Sequence, residues 1–253
     1  MITENAIVQS LEQLDNNIYL LKVKSPEIAE QCYPGQFCNI KVSEGNFPLL
    51  RRPFSICDAD GEFVWFMFEI VGEGTEILAK VKEGDVLNII GPLGNGFELE
   101  GDYDTAVIVG GGLGIAPFPF VTANIDDNKE IISFLGGRTK HHVTTYGLEN
   151  IYIATDDGSD GIKGNVLDLI KKNENLFEGK KIRIFSCGPN PMLKAVQDYA
   201  NEKKYDCQLS TECAMACGFG ICMGCVTESE ETPDNFKLVC VDGPVFDARD
   251  IKL

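Results

Sequence analysis

The stretch Cys217-Gly-Phe-Gly-Ile-Cys222-Met-Gly-Cys225 decides how this chain is organised, together with Cys240, which follows after fourteen further residues. The spacing C-x4-C-x2-C with a distant fourth cysteine is typical of a loop in which four thiolates hold a 2Fe-2S cluster. We therefore predict four cluster ligands, which are Cys217, Cys222, Cys225 and Cys240.

Glycines separate the cysteines of this loop, at Gly218, Gly220 and Gly224. Because glycine tolerates a positive φ, these residues allow the backbone to wrap tightly and to turn its N–H groups inward. Such N–H groups can donate hydrogen bonds to cluster sulfurs and so tune the reduction potential.

Two alternatives to an iron–sulfur loop are a zinc site and a set of unrelated buried thiols. Structural zinc sites usually combine two C-x2-C pairs of similar loop size, which this asymmetric spacing does not match. Cys213 lies four residues before Cys217. Including it would break the loop spacing, so we do not predict Cys213 as a ligand.

The composition bounds the domain count and the compartment. The 253 residues are enough for two domains and a short appendage, and the hydrophobic fraction of 44% is ordinary for a globular protein. Ten cysteines in a chain of this length, with no secretory signal at the N-terminus, favour metal or redox use in the cytoplasm over disulfides. Glycines and prolines interrupt the longest mainly apolar run, 106–121, so we expect no membrane span.

The charge and the histidine content exclude two further classes of function. The net charge of −17 would repel the phosphates of a nucleic acid and matches an anionic membrane surface poorly. The two histidines, His141 and His142, are adjacent. We therefore expect neither histidine-centred catalysis nor a metal site built from several histidines.

The first hundred residues contain short apolar runs separated by turn signals such as Pro34-Gly35 and Asp60-Gly61. This pattern is typical of a small antiparallel β-barrel. The predicted strands are 18–23, 37–42, 63–70 and 86–90, and the predicted helix is 75–81.

Two stretches of this barrel carry groups that can bind phosphate. In Arg51-Arg52-Pro53-Phe54-Ser55 a guanidinium and a hydroxyl three residues apart can reach one phosphate, while Phe54 faces the other side and can stack on a planar ring. In Gly72-Glu-Gly-Thr75 the backbone N–H groups and the threonine hydroxyl open a helix as an anion site. The alternatives are a solvated arginine pair and a threonine that only caps the helix.

After Gly91-Pro-Leu-Gly-Asn-Gly96 the pattern changes to alternating strands and helices, which is typical of an α/β doubly wound parallel sheet. The predicted strands are 105–109, 130–135, 151–155 and 181–186, and the predicted helices are 115–124, 165–172 and 191–204. Ligands bind such sheets at the carboxyl ends of the strands.

Two turns lie at that edge of the predicted sheet. Gly110-Gly-Gly-Leu-Gly-Ile-Ala-Pro117 allows a pyrophosphate to approach backbone N–H groups, although its third glycine position falls on Ile115 and departs from the G-x-G-x-x-G pattern. Cys187-Gly-Pro-Asn-Pro-Met192 ends the last strand. The alternatives are a glycine turn without a ligand and a buried cysteine before a helix.

The order of Arg-x-Phe-Ser and Gly-x-Gly-Thr resembles the flavin-binding barrel of the ferredoxin–NADP reductase family. The resemblance implies that the arginine and serine hold the FAD pyrophosphate, that the aromatic residue lies against the flavin, and that the strand ending in Met67-Phe68-Glu69 lines its ring. Glu69 departs from the neutral or basic residue expected there. The implied FAD residues are Arg52, Pro53, Phe54, Ser55, Met67, Phe68, Glu69, Gly74 and Thr75.

The same family uses a G-G-x-G-x-x-P turn and a Cys-Gly-Pro turn around the nicotinamide. The resemblance implies that Cys187 is a small polarisable group beside nicotinamide and flavin, not a nucleophile, and that no residue acts as an acid or base. The implied NAD residues are Gly111, Gly112, Gly114, Pro117, Cys187, Gly188, Pro189 and Met192.

With the cysteine loop and Asp242-Gly-Pro-Val-Phe246 added, nearly the whole chain resembles the electron-transfer subunits of two-component, NAD-linked dihydroorotate dehydrogenases. This resemblance implies FAD, one 2Fe-2S cluster, NAD(H) and an FMN-containing catalytic partner in a heterotetramer with two copies of each subunit. Dihydroorotate oxidation to orotate in pyrimidine biosynthesis would then reduce NAD. The implied domains are a FAD barrel at 1–101, a NAD domain at 102–206 and a small C-terminal 2Fe-2S loop domain at 207–253.

Two other functions remain open on the sequence. A small subunit of an NADH-dependent ferredoxin–NADP transhydrogenase, a sulfide dehydrogenase or a hydrogenase would share these motifs. Gly137-Arg138-Thr139-Lys140 would favour the 2′-phosphate of NADP. A non-enzymatic subunit that docks a partner through a zinc loop is the other alternative.

Overall fold

Six antiparallel strands close a barrel in the N-terminal part of the chain, in the order β1-β2-β5-β4-β3-β6. The computed structural model describes residues 1–43, 45, 47–230 and 236–253. The barrel strands are β1 Ile2–Asp15, β2 Ile18–Lys24, β3 Phe37–Lys41, β4 Arg52–Asp60, β5 Phe63–Glu69 and β6 Val86–Leu93, and its helices are α1 Pro26–Ala29 and α2 Glu73–Leu78. The predicted antiparallel barrel is confirmed.

Alternation of apolar residues explains why most of these strands were recognisable. Leu21 and Val23 of β2, for example, are fully buried in the barrel interior, where they pack with Ile40 of β3. β1 and β4 were not predicted. In β1 the strictly buried positions are held by the small residues Ala6 and Val8, so the apolar signal is weak.

A seven-stranded sheet follows, in the order β10-β9-β8-β7-β11-β12-β15. Its strands are β7 Thr105–Gly111, β8 Glu130–Gly137, β9 Ile151–Thr155, β10 Ile162–Lys163, β11 Ile182–Cys187, β12 Asp206–Ser210 and β15 Val245–Asp247, and its helices are α3 Phe118–Asn124, α4 Val166–Lys172 and α5 Asn190–Lys203. Only β15 runs antiparallel to its neighbour. The predicted doubly wound α/β fold is confirmed.

The chain order reverses between β7 and β11, which lie side by side with Gly110 opposite Cys187. In open parallel sheets such a switch point, at the carboxyl ends of the strands, is where ligands bind. The helices cover both faces, since Phe118 of α3 packs in one buried cluster while Leu169 of α4 and Leu193 of α5 pack in another.

The C-terminal segment contributes to two sheets. It supplies β15 and most of β12 to the seven-stranded sheet, so the strands of that sheet extend beyond residue 206. It also forms a three-stranded antiparallel sheet of β13 Val226–Ser229, β14 Phe236–Leu238 and β16 Ile251–Lys252. The cysteine loop, residues 217–225, lies between β12 and β13 in sequence.

The barrel and the seven-stranded sheet share one buried apolar cluster. Met67 and Ile18 from the barrel pack there with Ile108, Phe118 and Phe185 from the sheet and its helix. Within the part of the chain that the structure describes, no helix is both long and apolar enough to cross a membrane.

Candidate functional site

The four predicted cluster ligands lie in two pairs. The Sγ atoms of Cys225 and Cys240 are 3.1 Å apart, and the N–H of Cys222 donates to Cys217 Sγ at 3.4 Å. A 2Fe-2S cluster contains two irons that share four thiolates, so a paired arrangement matches its donor set. Among the described residues, no three cysteine, histidine or carboxylate side chains are grouped to hold a single metal ion.

Backbone N–H groups are aimed at the first cysteine of the loop. Burial opposes the charged thiolate, yet hydrogen bonds from the N–H groups of Cys222, Phe219 and Ile221 lower the pKa of Cys217 to about 6. Burial and the hydrogen bond with Cys225 raise the pKa of Cys240 to about 12. The loop therefore already stabilises negative charge on sulfur at one end, as a cluster requires.

Positive φ angles allow this wrapping, at Gly218 (+77°) and Gly220 (+88°) as the glycine pattern predicts. The prediction for Gly224 is wrong, because the third residue in the left-handed region is Met223 at +54°. A non-glycine residue in that region costs free energy. Other interactions of the loop must therefore offset the cost at Met223.

The segment before the nucleotide sheet anchors the far side of the cluster loop. The side-chain amide of Asn95 donates to the carbonyl oxygens of Val241 (3.0 Å) and Asp242 (3.1 Å). A Cβ on Gly94 would lie 2.6 Å from the carbonyl oxygen of Gly243. Two motifs that are distant in sequence, Gly-Pro-Leu-Gly-Asn-Gly and Asp-Gly-Pro-Val-Phe, are thus in direct contact.

The two phosphate-binding stretches of the barrel also meet. A Cβ on Gly74 would lie 2.8 Å from Nε of Arg52, so the guanidinium rests directly on the start of α2. Arg51 is used differently, since its Nη1 donates to the carbonyl oxygen of Asn88 at 2.7 Å and ties β4 to β6. Arg52 is therefore the arginine that faces the predicted FAD phosphate site.

The hydroxyl of Thr75 is engaged within its own turn. It accepts from the N–H of Val71 (3.0 Å) and donates to the carbonyl oxygen of Gly72 (2.9 Å). Thr75 is buried, at 8% exposure. This geometry matches the alternative in which the threonine shapes the helix start, and leaves the backbone N–H groups of α2 as the available donors.

Strands β4 and β5 part beside these residues. β4 pairs with β5 from Ile56 onward, but its first residues, including Pro53 and Ser55, pair with β3. The end of β5, from Met67 to Glu69, pairs with β2 on its other side. Among the described residues, the backbone edge of β5 that faces Ser55 is therefore left open, where a planar ring can enter.

The aromatic residue of the arginine motif does not lie on this open edge. Phe54 is 9% exposed and its ring centroid is 5.8 Å from that of Phe68, inside the barrel core. Met67 is equally enclosed, at 1% exposure. Because neighbouring residues of a strand face opposite sides, Phe54 points inward where Ser55 points outward, and the expected aromatic platform for flavin is instead core packing.

The two turns predicted to bind NAD are packed on each other at the switch point. A Cβ on Gly111 would lie 2.5 Å from Sδ of Met192 and 3.0 Å from Cδ of Pro189, and a Cβ on Gly188 would lie 2.6 Å from Cε of Met192. A Cβ on Gly114 would lie 2.6 Å from the carbonyl carbon of Cys187. Only glycine permits this approach.

The outer part of the glycine turn stays open. A Cβ on Gly112, whose φ is +55°, would meet nothing within 4 Å, and Pro117, two residues after the turn, is the N-cap of α3. The backbone of Gly112 therefore faces free space at the carboxyl end of β7, where a pyrophosphate can approach.

The structure gives Cys187 an environment without nucleophilic character. The side chain is 1% exposed, and burial raises the pKa of the thiol well above its ordinary value, with the nearby carboxylate of Glu212 adding to the shift. A neutral buried thiol is a poor nucleophile. Glu212 was not singled out by sequence because it belongs to no motif. Its side chain is exposed, and partial burial of the carboxyl group raises its pKa.

The flavin strands and the nicotinamide turns converge in the shared buried cluster. Cys57 of β4 and Met67 of β5 pack in it with Ile115 of the glycine turn and with Cys187. The two predicted binding sites therefore adjoin, as direct hydride exchange between their ligands requires.

Comparisons with known proteins give one domain match and several full-length relatives. The profile of the iron-sulfur cluster binding domain of dihydroorotate dehydrogenase B matches residues 212–252. The electron transfer subunit of dihydroorotate dehydrogenase B (NAD(+)) from Bacillus cereus strain B4264 is 38% identical over 265 aligned residues that cover 100% of both chains. The corresponding Bacillus anthracis strain CDC 684 protein is also 38% identical over the full length of both chains.

Two solved structures share the architecture. The NADH-dependent reduced ferredoxin-NADP oxidoreductase, described for flavin-based electron bifurcation, superimposes with a TM-score of 0.86 at 27% identity, covering 98% of this chain and 90% of that one. The ferredoxin reductase in carbazole 1,9a-dioxygenase superimposes with a TM-score of 0.66 at 22% identity, covering 81% of this chain and 66% of that one. The second likeness shows the fold alone.

Proposed function

The chain belongs to the family of dihydroorotate dehydrogenase B electron transfer subunits, and we propose that it couples dihydroorotate oxidation in a catalytic partner subunit to NAD reduction through a 2Fe-2S cluster and FAD. Dihydroorotate loses two electrons and two protons to become orotate, and NAD accepts two electrons and one proton as a hydride. The observation that carries the proposal is the convergence of the flavin strands and the nicotinamide turns in one buried cluster that includes Cys187.

The chain needs FAD between the other two cofactors. FAD, when bound, exchanges a hydride with a nicotinamide and single electrons with an iron–sulfur cluster. Arg52 and the N–H groups at the start of α2 would hold its phosphates, and the open edge of β5 at Met67–Glu69 would hold its ring. Among the sequence-predicted residues, Phe54 and Phe68 would act only by shaping the barrel.

On the nicotinamide side the chain supplies position and exclusion of water. The open backbone of Gly112 would receive the pyrophosphate, while Gly111, Gly114 and Gly188 permit the close packing that places Cys187 at the switch point. Because the thiol of Cys187 is buried and neutral, it would offer a small polarisable surface and take no part in proton transfer.

The two thiol pairs of the loop would hold the cluster, Cys217 with Cys222 and Cys225 with Cys240. In this proposal the FAD, NAD and cluster units are 1–101, 102–206 and 207–253, the last also lending strands to the NAD sheet.

The partner in this proposal carries FMN and assembles with this chain as two copies of each subunit. Support comes from the tip of the cluster loop, where the exposed ligand Cys222 lies between Ile221 (78% exposed) and Met223 (61% exposed). An apolar surface around an exposed metal ligand suits contact with another protein. All ten cysteines are free, which agrees with a cytoplasmic, reducing compartment.

A Cys225→Ser variant of the assembled complex tests the function. We expect the electron paramagnetic resonance signal of the cluster and dihydroorotate-driven NAD reduction to be lost, because one iron loses a thiolate. Oxidation of NADH by ferricyanide through FAD should survive. Cys32→Ser is the matched control, since Cys32 lies in the barrel and its thiol donates to the carbonyl oxygen of Ala29. Undiminished transfer to the partner in Cys225→Ser would rule the cluster out of the path.

A second function, exchange between NADH, NADPH and a ferredoxin, is favoured by two observations. The NADH-dependent ferredoxin-NADP oxidoreductase covers nearly the whole chain at 27% identity. Arg138 is exposed at the end of β8, where a 2′-phosphate could be bound. Comparing the rates at which NADH and NADPH reduce the bound FAD separates the two functions, and equal rates would favour the second.

A further inference from the structure

Asn39 of β3 is a buried polar residue that no motif explains. It is 1% exposed, between Cys38 and Ile40, which are fully buried. Its side-chain Nδ2 donates to the carbonyl oxygen of Cys217 at 2.8 Å. A residue of the flavin barrel thus holds the backbone of the first predicted cluster ligand.

The contact is as close as the chain permits. Gly218, which follows Cys217 and has a φ of +77°, lies so near that a Cβ on it would overlap the Asn39 amide nitrogen and approach its Cγ to 3.1 Å. The backbone of Cys217 and Gly218 therefore lies directly on the amide of Asn39.

Among the described residues, the side-chain amide of Asn39 makes no hydrogen bond within the barrel. A carbonyl oxygen can only accept, so the bond to Cys217 fixes the amide orientation and leaves Oδ1 buried without a partner among the described residues. An unsatisfied buried acceptor costs free energy that an apolar residue of the same shape avoids. The reason for an asparagine here lies in the loop.

β3 also pairs with β4, the strand that begins with the predicted flavin arginine, Arg52. The backbone of Asn39 pairs with Pro53, the neighbour of Arg52, and its carbonyl oxygen accepts from Nη1 of Arg51 at 3.5 Å. One residue therefore contacts the cluster loop through its side chain and the arginine strand through its backbone.

We propose that Asn39 is a positioning residue that fixes the cluster loop against the flavin barrel and so sets the gap across which single electrons pass between cluster and FAD. The inference rests on the proposed function. Each NADH gives up two electrons as a hydride and each cluster accepts one. Because electron tunnelling weakens steeply with distance, a loop that detaches from Asn39 slows cluster reduction without changing hydride transfer to FAD.

An Asn39→Leu variant of the cofactor-loaded protein removes the amide donor and acceptor and keeps the branched shape of the side chain, with a larger methyl group in place of each amide atom. Losing one hydrogen bond should make amide hydrogen exchange across 217–225 about five- to tenfold faster. The global Tm should change little, because removal of the buried, unpaired Oδ1 offsets the cost of the larger side chain. NADH should reduce FAD at the normal rate and the cluster more slowly. Asn39→Asp should lower the rate of cluster reduction further, because a carboxylate would face the carbonyl oxygen of Cys217.

Ser133→Ala is the matched control, since Ser133 carries the other buried side-chain atom without a partner among the described residues and lies in β8 of the nucleotide sheet. It should leave loop exchange unchanged. A second test reaches the contact from the loop. Gly218→Ala should slow cluster reduction more than Gly220→Ala. Both have a positive φ, but a Cβ on Gly218 would meet the buried amide of Asn39, whereas a Cβ on Gly220 would meet the exposed side chain of Val241.

Unchanged loop exchange and an unchanged rate of cluster reduction in Asn39→Leu would overturn the positioning role. Should Asn39→Leu fail to fold, equal effects of Gly218→Ala and Gly220→Ala would overturn it. Failure of the proposed function has a different signature, because NADH would then reduce no cluster in the unmodified protein, while the exchange rates would still report whether Asn39 holds the loop.

Discussion

Replacing Gly114 with alanine perturbs the contact between the two turns at the switch point and little else. Gly114 lies in the 3-10 turn Gly112–Ile115, outside the left-handed region, so alanine meets no backbone strain there. Its Cβ would lie 2.6 Å from both the carbonyl carbon of Cys187 and Cα of Gly188. The carbonyl oxygen of Cys187 would be nearer still. Ordinary contact begins at about 3.4 Å, so the two turns must part by about 1 Å.

Two magnitudes follow from that displacement. Inserting one methyl group into a packed site costs about 1–3 kcal/mol. For a chain of 253 residues this lowers Tm by roughly 2–12 °C. Moving the donors of the glycine turn away from a bound pyrophosphate loses about one hydrogen bond, so the Kd for NADH should rise roughly tenfold.

The assay is an anaerobic titration with NADH, in which bleaching of the FAD absorbance reports binding and hydride transfer. FAD content should stay at one per chain and iron content at about two atoms per chain, because Gly114 touches neither the predicted FAD site nor the predicted cluster site. Gly45→Ala is the control, since Gly45 is outside the left-handed region and a Cβ there would come no nearer than 3.4 Å, to Oγ of Ser43. If Gly114→Ala needs the same NADH concentration as the unmodified protein and its FAD is reduced at the same rate, the contact does not belong to the nicotinamide site.

Three further results are expected. Phe54→Ala should lower the free energy of unfolding, measured in urea, by about 3–5 kcal/mol, because the ring lies in the barrel core. Loss of FAD with unchanged stability of the cofactor-free chain would instead show that Phe54 packs on the flavin. In cluster-free protein, iodoacetamide labelling of Cys217, read by mass spectrometry, should reach half its maximum near the pKa of about 6, because the reactive thiolate is present above that pH and lost below it. Cys240, whose pKa is about 12, should stay unlabelled at neutral pH. Equal labelling of the two cysteines would contradict this difference in pKa. Arg138→Ala should leave FAD reduction by NADH unchanged and weaken any reduction by NADPH, and a larger effect on NADH would count against a 2′-phosphate site.

Local chemistry made the cluster loop and the turns of the nucleotide sheet predictable. The cluster loop needs its cysteine spacing and the glycines at 218 and 220, and all of these fall within nine residues, 217–225. A short sequence pattern therefore reveals them. The strand predicted at 151–155 coincides with β9 because an apolar run between turn signals decides it. These features depend on neighbours along the chain.

Features that depend on distant parts of the chain were missed. β1 closes the barrel through pairing with β2 and β6, and few of its own residues are buried. Phe54 turns inward because Phe68 of another strand packs on it. The strands that the C-terminal segment adds to the seven-stranded sheet are paired across more than thirty residues, Leu209 with Phe246.

The role of Asn39 also depends on a distant contact, since its partner Cys217 lies 178 residues away. The one signal in the sequence was a single amide in the buried run Phe-Cys-Asn-Ile of β3. A polar residue in such a run marks a buried hydrogen bond, but the sequence cannot say to what.

In the proposed function, one chain converts electron pairs into single electrons with a flavin and an iron–sulfur cluster. The decisive experiment is an anaerobic titration of the purified chain with dithionite, followed by visible absorbance and electron paramagnetic resonance. We expect uptake of about three electrons per chain, two that bleach the flavin and one that produces the signal of a reduced 2Fe-2S cluster. Uptake of about two electrons without that signal, or zinc found in place of iron and sulfide, would contradict it.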